Sequence, residues 1–331
     1  MNIEKFQEAI EACRFCFMCR HLSAVGNVSF READTPRGRA LLSNNLQRDG
    51  AKFDKDGVDA FYRAELSAAN RFHCVSHYDE TGLILAARKD IAALGLAPEN
   101  VKALAEKLAK TTFKVEGKGD VLYALDSNSG AEAKAFAKLA GKTATVANAE
   151  AAKALNVLGF VAESAEVAKR FAEAVKGFKT IVSSSPAVVD FLKNDLKLNG
   201  VEVLHSSEFI LKLKLKGKAK KEAYLLDSDF LKNYNGNAAA PKKLLESLGY
   251  ALKPFGTNQE ESFSAGEGAV VFDALNPEIA KKLCAHIKEL ADNPGKDLLV
   301  VCSSYTRAIL AKYAPELKAI SIEEAAEAAR S

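Results

Sequence analysis

No stretch of the 331-residue chain approaches the roughly 18 uninterrupted apolar residues of a spanning helix, so an integral membrane protein is excluded. An excess of base is missing too. Forty-six Lys and Arg against 43 Asp and Glu leave +3, too little for a dedicated nucleic-acid binder. No apolar segment follows a basic start at Met1-Asn-Ile-Glu-Lys-Phe6, so no secretory signal is readable. Cysteine is sparse, six in all, where a secreted disulfide framework is short and dense in it. What remains is ordinary for a soluble globular chain: 48% apolar and 27% charged residues, which excludes a collagen or a disordered tail. The length allows two or three domains. The expected location is the cytoplasm, membrane-peripheral only through partner proteins.

The six cysteines are unevenly placed. Cys13, Cys16 and Cys19 are crowded together, Cys74 follows, and Cys284 and Cys302 stand far away. Crowded thiols in a reducing compartment point to metal rather than to disulfides. The first hundred or so residues also hold His21, His73 and His77, and read as short helical pieces. Helices are expected from Gly82 onward and from Pro98 onward, the second with proline at its first turn. A boundary is expected near Val115-Glu-Gly-Lys-Gly-Asp120.

Beyond that boundary the pattern alternates. Strands are expected at Val121-Leu-Tyr-Ala-Leu125, Thr143-Ala-Thr-Val-Ala147, Thr180-Ile-Val182 and Val201-Glu-Val-Leu204, with alanine-rich helical stretches between them. Such alternation predicts a mostly parallel sheet flanked by helices. The plan then runs a second time. Tyr123-Ala-Leu-Asp126-Ser-Asn128 is echoed by Tyr224-Leu-Leu-Asp227-Ser-Asp229, and Thr180-Ile-Val-Ser-Ser-Ser-Pro186 by Leu299-Val-Val-Cys-Ser-Ser-Tyr305. The fold class is therefore α+β overall, a mostly helical region over 1–112 followed by tandem α/β halves over 113–217 and 218–331. Between the halves lies the basic run Lys212-Leu-Lys-Leu-Lys-Gly-Lys-Ala-Lys-Lys221, read as a solvated turn, with a docking patch for an acidic partner and then a nucleic-acid site as the alternatives.

Cys13-Arg-Phe-Cys16-Phe-Met-Cys19 has the spacing C-x2-C-x2-C, and soft thiolates of this kind suit iron–sulfur clusters or zinc. Zinc sites usually pair two cysteines at each of two places, whereas the bacterial ferredoxin run is C-x2-C-x2-C-x3-C-P. Here the fourth cysteine position is Ser23 and the proline position Ala24. In two-cluster ferredoxins the fourth cysteine of each run serves the other cluster. Cys74 fits as the survivor of a second run, since the positions its spacing assigns to earlier ligands are Asn70, Ser67 and Ala64. One lost cluster then accounts for both gaps, and Cys13, Cys16, Cys19 and Cys74 remain to hold one [4Fe-4S] cluster. The flanking histidines are read as surface residues or hydrogen-bond donors to sulfur, with iron ligation as the alternative.

Cys13 to Cys19, followed by Asp34-Thr-Pro-Arg-Gly-Arg-Ala-Leu-Leu42, resembles the iron–sulfur subunits of glycolate and lactate oxidase complexes and the related heterodisulfide reductase subunits. The resemblance implies a ferredoxin-like [4Fe-4S] domain over residues 1–112 and two cysteine-rich domains, here degenerate. The family's C-P-x-C-like elements read Ser185-Pro-Ala-Val188 and Cys302-Ser-Ser-Tyr305. Its Cys-Cys-Gly element reads Phe263-Ser-Ala-Gly266, and Asp227-Ser-Asp229 resembles an Asp-Pro-Cys element. No catalytic residue is therefore expected. The implied role is an electron-transfer subunit that takes electrons from an FAD-linked 2-hydroxyacid dehydrogenase, with FAD on that partner and not on this chain. An electron-transfer flavoprotein or another redox protein is a further implied partner. The alternatives are a non-redox structural or assembly subunit and a heterodisulfide-reductase-like enzyme acting through Cys302. Gly141-Lys-Thr143 lacks the P-loop glycine at Phe136, and Gly266-Glu-Gly268 is a weak dinucleotide fingerprint. Cys284 is read as a buried apolar residue, and Cys302 as a relic or a reactive thiol.

Overall fold

The alternating region folds as two parallel sheets, and the helical region packs against both. A computed structural model describes residues 1–13, 16–48, 52–256 and 259–330. The leading region contains α1 (Gln7–Ala12), α2 (Ala24–Ser29), α3 (Pro36–Arg48), α4 (Lys55–Tyr62), α5 (Glu80–Ala93) and α6 (Glu99–Ala109). Three of these helices start in the same way. Ser23, Asp54 and Asp79 each accept a hydrogen bond from the backbone N–H three residues on, at Gly26, Gly57 and Gly82. Each such cap is worth about 1 kcal/mol. Pro98 stands just ahead of α6 as its cap residue, not within the first turn.

The first α/β half comprises β1 (Val115–Glu116), β2 (Val121–Ala124), α7 (Gly130–Ala140), β3 (Ala144–Val146), α8 (Ala151–Leu158), α9 (Val161–Ala174), β4 (Thr180–Ser183), α10 (Pro186–Asp190), β5 (Glu202–His205) and α11 (Ser206–Lys212). The second comprises β6 (Lys221–Leu226), α12 (Ala239–Ser247), β7 (Tyr250–Lys253), α13 (Phe272–Leu275), α14 (Pro277–Leu290), β8 (Leu299–Val301), α15 (Ser304–Tyr313), β9 (Ile320–Ser321) and α16 (Ile322–Arg330). The sheets run β1-β3-β2-β4-β5 and β7-β6-β8-β9. All pairs are parallel except that β1 runs antiparallel along the edge of β3. In each half the parallel strands thus lie in the order second, first, third, fourth, so the faint sequence repeat is a repeat of topology.

The halves join symmetrically. Helix α7 packs on α16, and α11 packs on α12. These are equivalent pairs, the helix after the first strand of one half meeting the helix after the last strand of the other. Tyr123, Phe136, Leu204, Leu245, Val300 and Ala325 are buried together in the core between them. Asp190-Phe-Leu-Lys-Asn194 and Asp229-Phe-Leu-Lys-Asn233 share four residue types after the aspartate and enter wide helical turns, Phe191–Leu196 and Phe230–Tyr234. They follow different strands of their halves, yet meet at the seam, where Asn235 donates to Asp190 Oδ1 over 3.0 Å.

No break in packing marks residue 112. The buried Arg88 guanidinium donates to the carbonyls of Phe61, Ala64 and Val157, and Tyr62 Oη donates to Leu158 O over 3.0 Å. The leading helices and the first half therefore share one core. Residues 64–70 are buried and reach the second half, where Tyr234 Oη donates to Leu66 O and Asn233 donates to Ser67 O. Gly268 lies so close to that segment that a Cβ on it would sit 2.2 Å from Leu66 O. Among the described residues no helix is long and apolar enough to cross a membrane.

Candidate functional site

Two loops bring the leading cysteines together. Cys13 ends α1, Cys19 opens a short turn at Arg20–Leu22, and Cys74 lies in the loop ahead of α5. Ser76 Oγ donates to Ala12 O over 2.6 Å and so ties the Cys74 loop to the end of α1. Cys13, Cys19 and Cys74 are half-buried, and Cys16 is exposed. The Cys19 thiol is pushed up to about 12, first by burial and then by Glu80, Cys74 and Cys13 nearby. Charge on Cys13 or Cys74 is thus felt at Cys19.

Tyr78 supplies the polar surroundings. Its backbone N–H donates to Cys74 Sγ over 3.3 Å. Its hydroxyl is buried without a hydrogen-bond partner, and Cys13 and Cys19 act on it electrostatically. An orphaned donor beside thiols is what a site for an anionic sulfur centre provides. Among the described residues no group of three or more His, Cys, Asp or Glu is arranged to hold a metal ion. A four-iron cluster spreads its thiolates around a cube, wider than the bonds of one ion allow. The intervening Arg14 and Phe15 lie outside the described residues.

The Asp34–Arg39 segment is the bracket around this loop pair. Arg63 grips Asp34 with both arms, at 2.9 Å and 2.6 Å. Although burial acts to raise the Asp34 carboxyl, Arg63 holds it below its usual value. Thr35 Oγ1 accepts from Gly38 N–H and donates to Glu32 O. Gly38 admits no side chain, since a Cβ would sit 2.0 Å from Glu32 O. Arg37 lies over the Phe17 ring at 4.0 Å, within the cysteine turn. Arg39 is buried and pairs at 2.7 Å with Glu80, the same carboxylate that acts on Cys19. Asp34, Thr35, Arg37, Gly38 and Arg39 thus each have a structural task. Ser23, the missing-cysteine position, is buried as the cap of α2 and donates to Asp34 O over 3.0 Å.

The histidines are drawn into the contact with the second half. The His21 and His73 rings meet edge to face at 5.0 Å, and His73 Nε2 pairs with Glu260. His77 adopts a left-handed backbone, with φ at 50°. His21 and His286 act together on Glu261.

Polar residues at the carboxyl ends of strands in the two sheets also converge. Ser304 Oγ donates to Asp126 Oδ2 over 2.7 Å, and Ser304 N–H to Ser184 O over 3.3 Å. Thr306 Oγ1 donates to Ser264 O, and Ser264 and Ser262 donate to Asp229. Carboxylates gather there. Burial pushes Glu267 up to about 8, with help from Asp229, and Glu150 up to about 7, with help from Asp126. Asp126, Glu150, Glu267 and Tyr305 line a cavity of about 20 Å³, room for a water molecule. Cys302 is buried, and burial raises its thiol well above its usual value. Cys284 is fully buried on α14, as its sequence context suggests.

Sequence reading missed Glu150 and Glu267, because an isolated acid in an apolar stretch carries no periodic signal. The one available hint was Asp126-Ser-Asn128 repeating as Asp227-Ser-Asp229 at matching strand ends. No protein-family model matches the chain, and no curated protein matches it significantly.

Proposed function

We propose that the chain is an electron-transfer subunit whose Cys13, Cys16, Cys19 and Cys74 ligate one [4Fe-4S] cluster. The observation that carries this reading is the tie between the Cys74 loop and the end of α1, with Cys19 electrostatically linked to both Cys13 and Cys74. When bound, the cluster supplies one-electron redox chemistry. The chain's own residues do the rest. The Tyr78 N–H donates to the Cys74 sulfur and favours extra negative charge there, which raises a cluster's potential. Half-burial of Cys13 and Cys19 restricts water there, and the Arg39–Glu80 and Arg63–Asp34 pairs fix the loops. The α/β halves act as the scaffold that holds this site against a flavoprotein. An FAD-linked 2-hydroxyacid dehydrogenase is the partner proposed, on the resemblance of the Cys13–Arg39 region alone.

A non-redox scaffold is the second reading, favoured by the well-packed apolar cores that the halves share with the leading helices and with each other. Anaerobic purification separates them. The electron-transfer reading expects bound iron and sulfide, broad visible absorption bleached by dithionite, and a signal by electron paramagnetic resonance on reduction. A chain that stays colourless after anaerobic reconstitution with iron and sulfide overturns it.

A further inference from the structure

The lysine run between the halves is built as a rigid row. Residues 212–221 carry lysine at 212, 214, 216, 218, 220 and 221, and no acid. Leu211, Leu215 and Ala219 turn inward and pack against the core between the halves, while every one of those lysines is exposed. Lys216 and Lys218 flank Gly217 on a stretch with neither helix nor strand, and Lys220 takes a left-handed backbone with φ at 45°. The backbone is pinned rather than loose. Lys218 N–H donates to Ala329 O and Ala219 N–H to Leu248 O, both over 3.1 Å. Gly217 passes so close that a Cβ would sit 2.5 Å from Leu248 O.

Those two carbonyls belong to the carboxyl-terminal ends of α16 and α12. The negative ends of two helix dipoles therefore help to hold a row of like charges in place. The exposed Lys296 and Lys318 lie in the loops that precede β8 and β9, at the same amino-terminal edge of the second sheet, and share a surface depression with Lys221. The acids in that depression are engaged: Glu222 pairs with Lys253, and Asp297 accepts from Asn293 N–H. The loops at one end of such a sheet form a broad rim, and this rim is basic.

We propose that the rim is a docking surface for an anionic lipid bilayer. A pinned run with further lysines on the same rim gathers its charges on one exposed surface. Within residues 212–221, lysine without arginine or aromatic residues gives charge attraction without base stacking or bidentate recognition. Leu213, 37% exposed at the start of the row, adds an apolar contact at the headgroup level. Clusters of this size are attracted to anionic lipid at about 1 kcal/mol per lysine close to the surface.

The test is sedimentation of the full chain with vesicles of phosphatidylcholine alone or mixed with phosphatidylglycerol. Binding is expected only to the mixed vesicles, and it should fall steeply as salt is added. Replacing Lys216, Lys218 and Lys220 by Gln should lower the partition coefficient about 100-fold, three lysines at roughly 1 kcal/mol each, with an unchanged circular dichroism spectrum. Replacing the same three by Arg should preserve binding. Three results would overturn the proposal: no binding to mixed vesicles at low salt, a Gln variant that binds like the parent, or tighter binding to duplex DNA than to the mixed vesicles.

Discussion

Replacing Glu267 by Gln should make the protein more stable, and increasingly so as the pH rises from about 5 to about 8. The carboxyl of Glu267 is fully buried, accepting from Ser228 Oγ and from Asp229 N–H at 2.9 Å each. Burial first, and the neighbouring Asp229 second, move it from 4.5 to about 8. The native state therefore keeps a proton that the unfolded chain has released. Unfolding sheds protons between those two values, so the contribution of this group to stability declines with rising pH, is unpenalised below about 4.5, and levels off above about 8. A rise of this size corresponds to about 5 kcal/mol at 1.36 kcal/mol per unit, an upper bound because Asp229 shares the site. Glutamine keeps the shape, can accept from Asp229 N–H and donate to Ser228 Oγ, and has no charge to lose. Urea denaturation of parent and variant at several pH values measures the difference. Curves that differ by a constant amount at pH 5 and pH 8 would refute the reasoning.

Cys74→Ser should lose most of the bound iron, whereas Ser23→Ala should keep the iron and lose about 1 kcal/mol of stability through its cap on α2; iron analysis and urea midpoints read the two effects separately. Native protein should bind close to four irons per chain, as expected for one four-iron cluster, and a count near eight would show a second site. Gly268→Ala should cost roughly 1–3 kcal/mol, because its Cβ would meet Leu66 O at 2.2 Å; a thermal midpoint equal to the parent's would contradict the close approach.

What could be read in the sequence and what could not divides along physical lines. Apolar runs such as Val121-Leu-Tyr-Ala124 reveal strands because burial on both faces of a parallel sheet demands them. The repeat survives in Tyr123 and Tyr224 because both occupy central strands. The tie between the Cys74 loop and α1 was beyond sequence reading, since Ser76 gives no sign that it bonds to Ala12 O. The continuity of the core across residue 112 was equally hidden. Arg88 looks like a surface residue on an amphipathic helix, yet its guanidinium satisfies three carbonyls from different segments. The Thr-Pro-Arg-Gly-Arg segment was conspicuous, but only the structure gives its residues separate duties, such as Gly38 against Glu32 and Arg39 against Glu80.

The paired contacts of α7 with α16 and α11 with α12 carry a consequence for the ancestry and assembly of the chain. An interface in which each half presents the same two helices to the other is the geometry of a homodimer, closed by a two-fold axis. Two such copies need no covalent link to recognise each other. The run from Leu213 to Lys220 would then be a late bridge joined to a seam that already closed by itself. Once both copies sat on one chain, their sequences were free to diverge. One could meet the leading region through Leu158 while its twin met it through Gly268 against Leu66, a division of labour that identical subunits cannot reach.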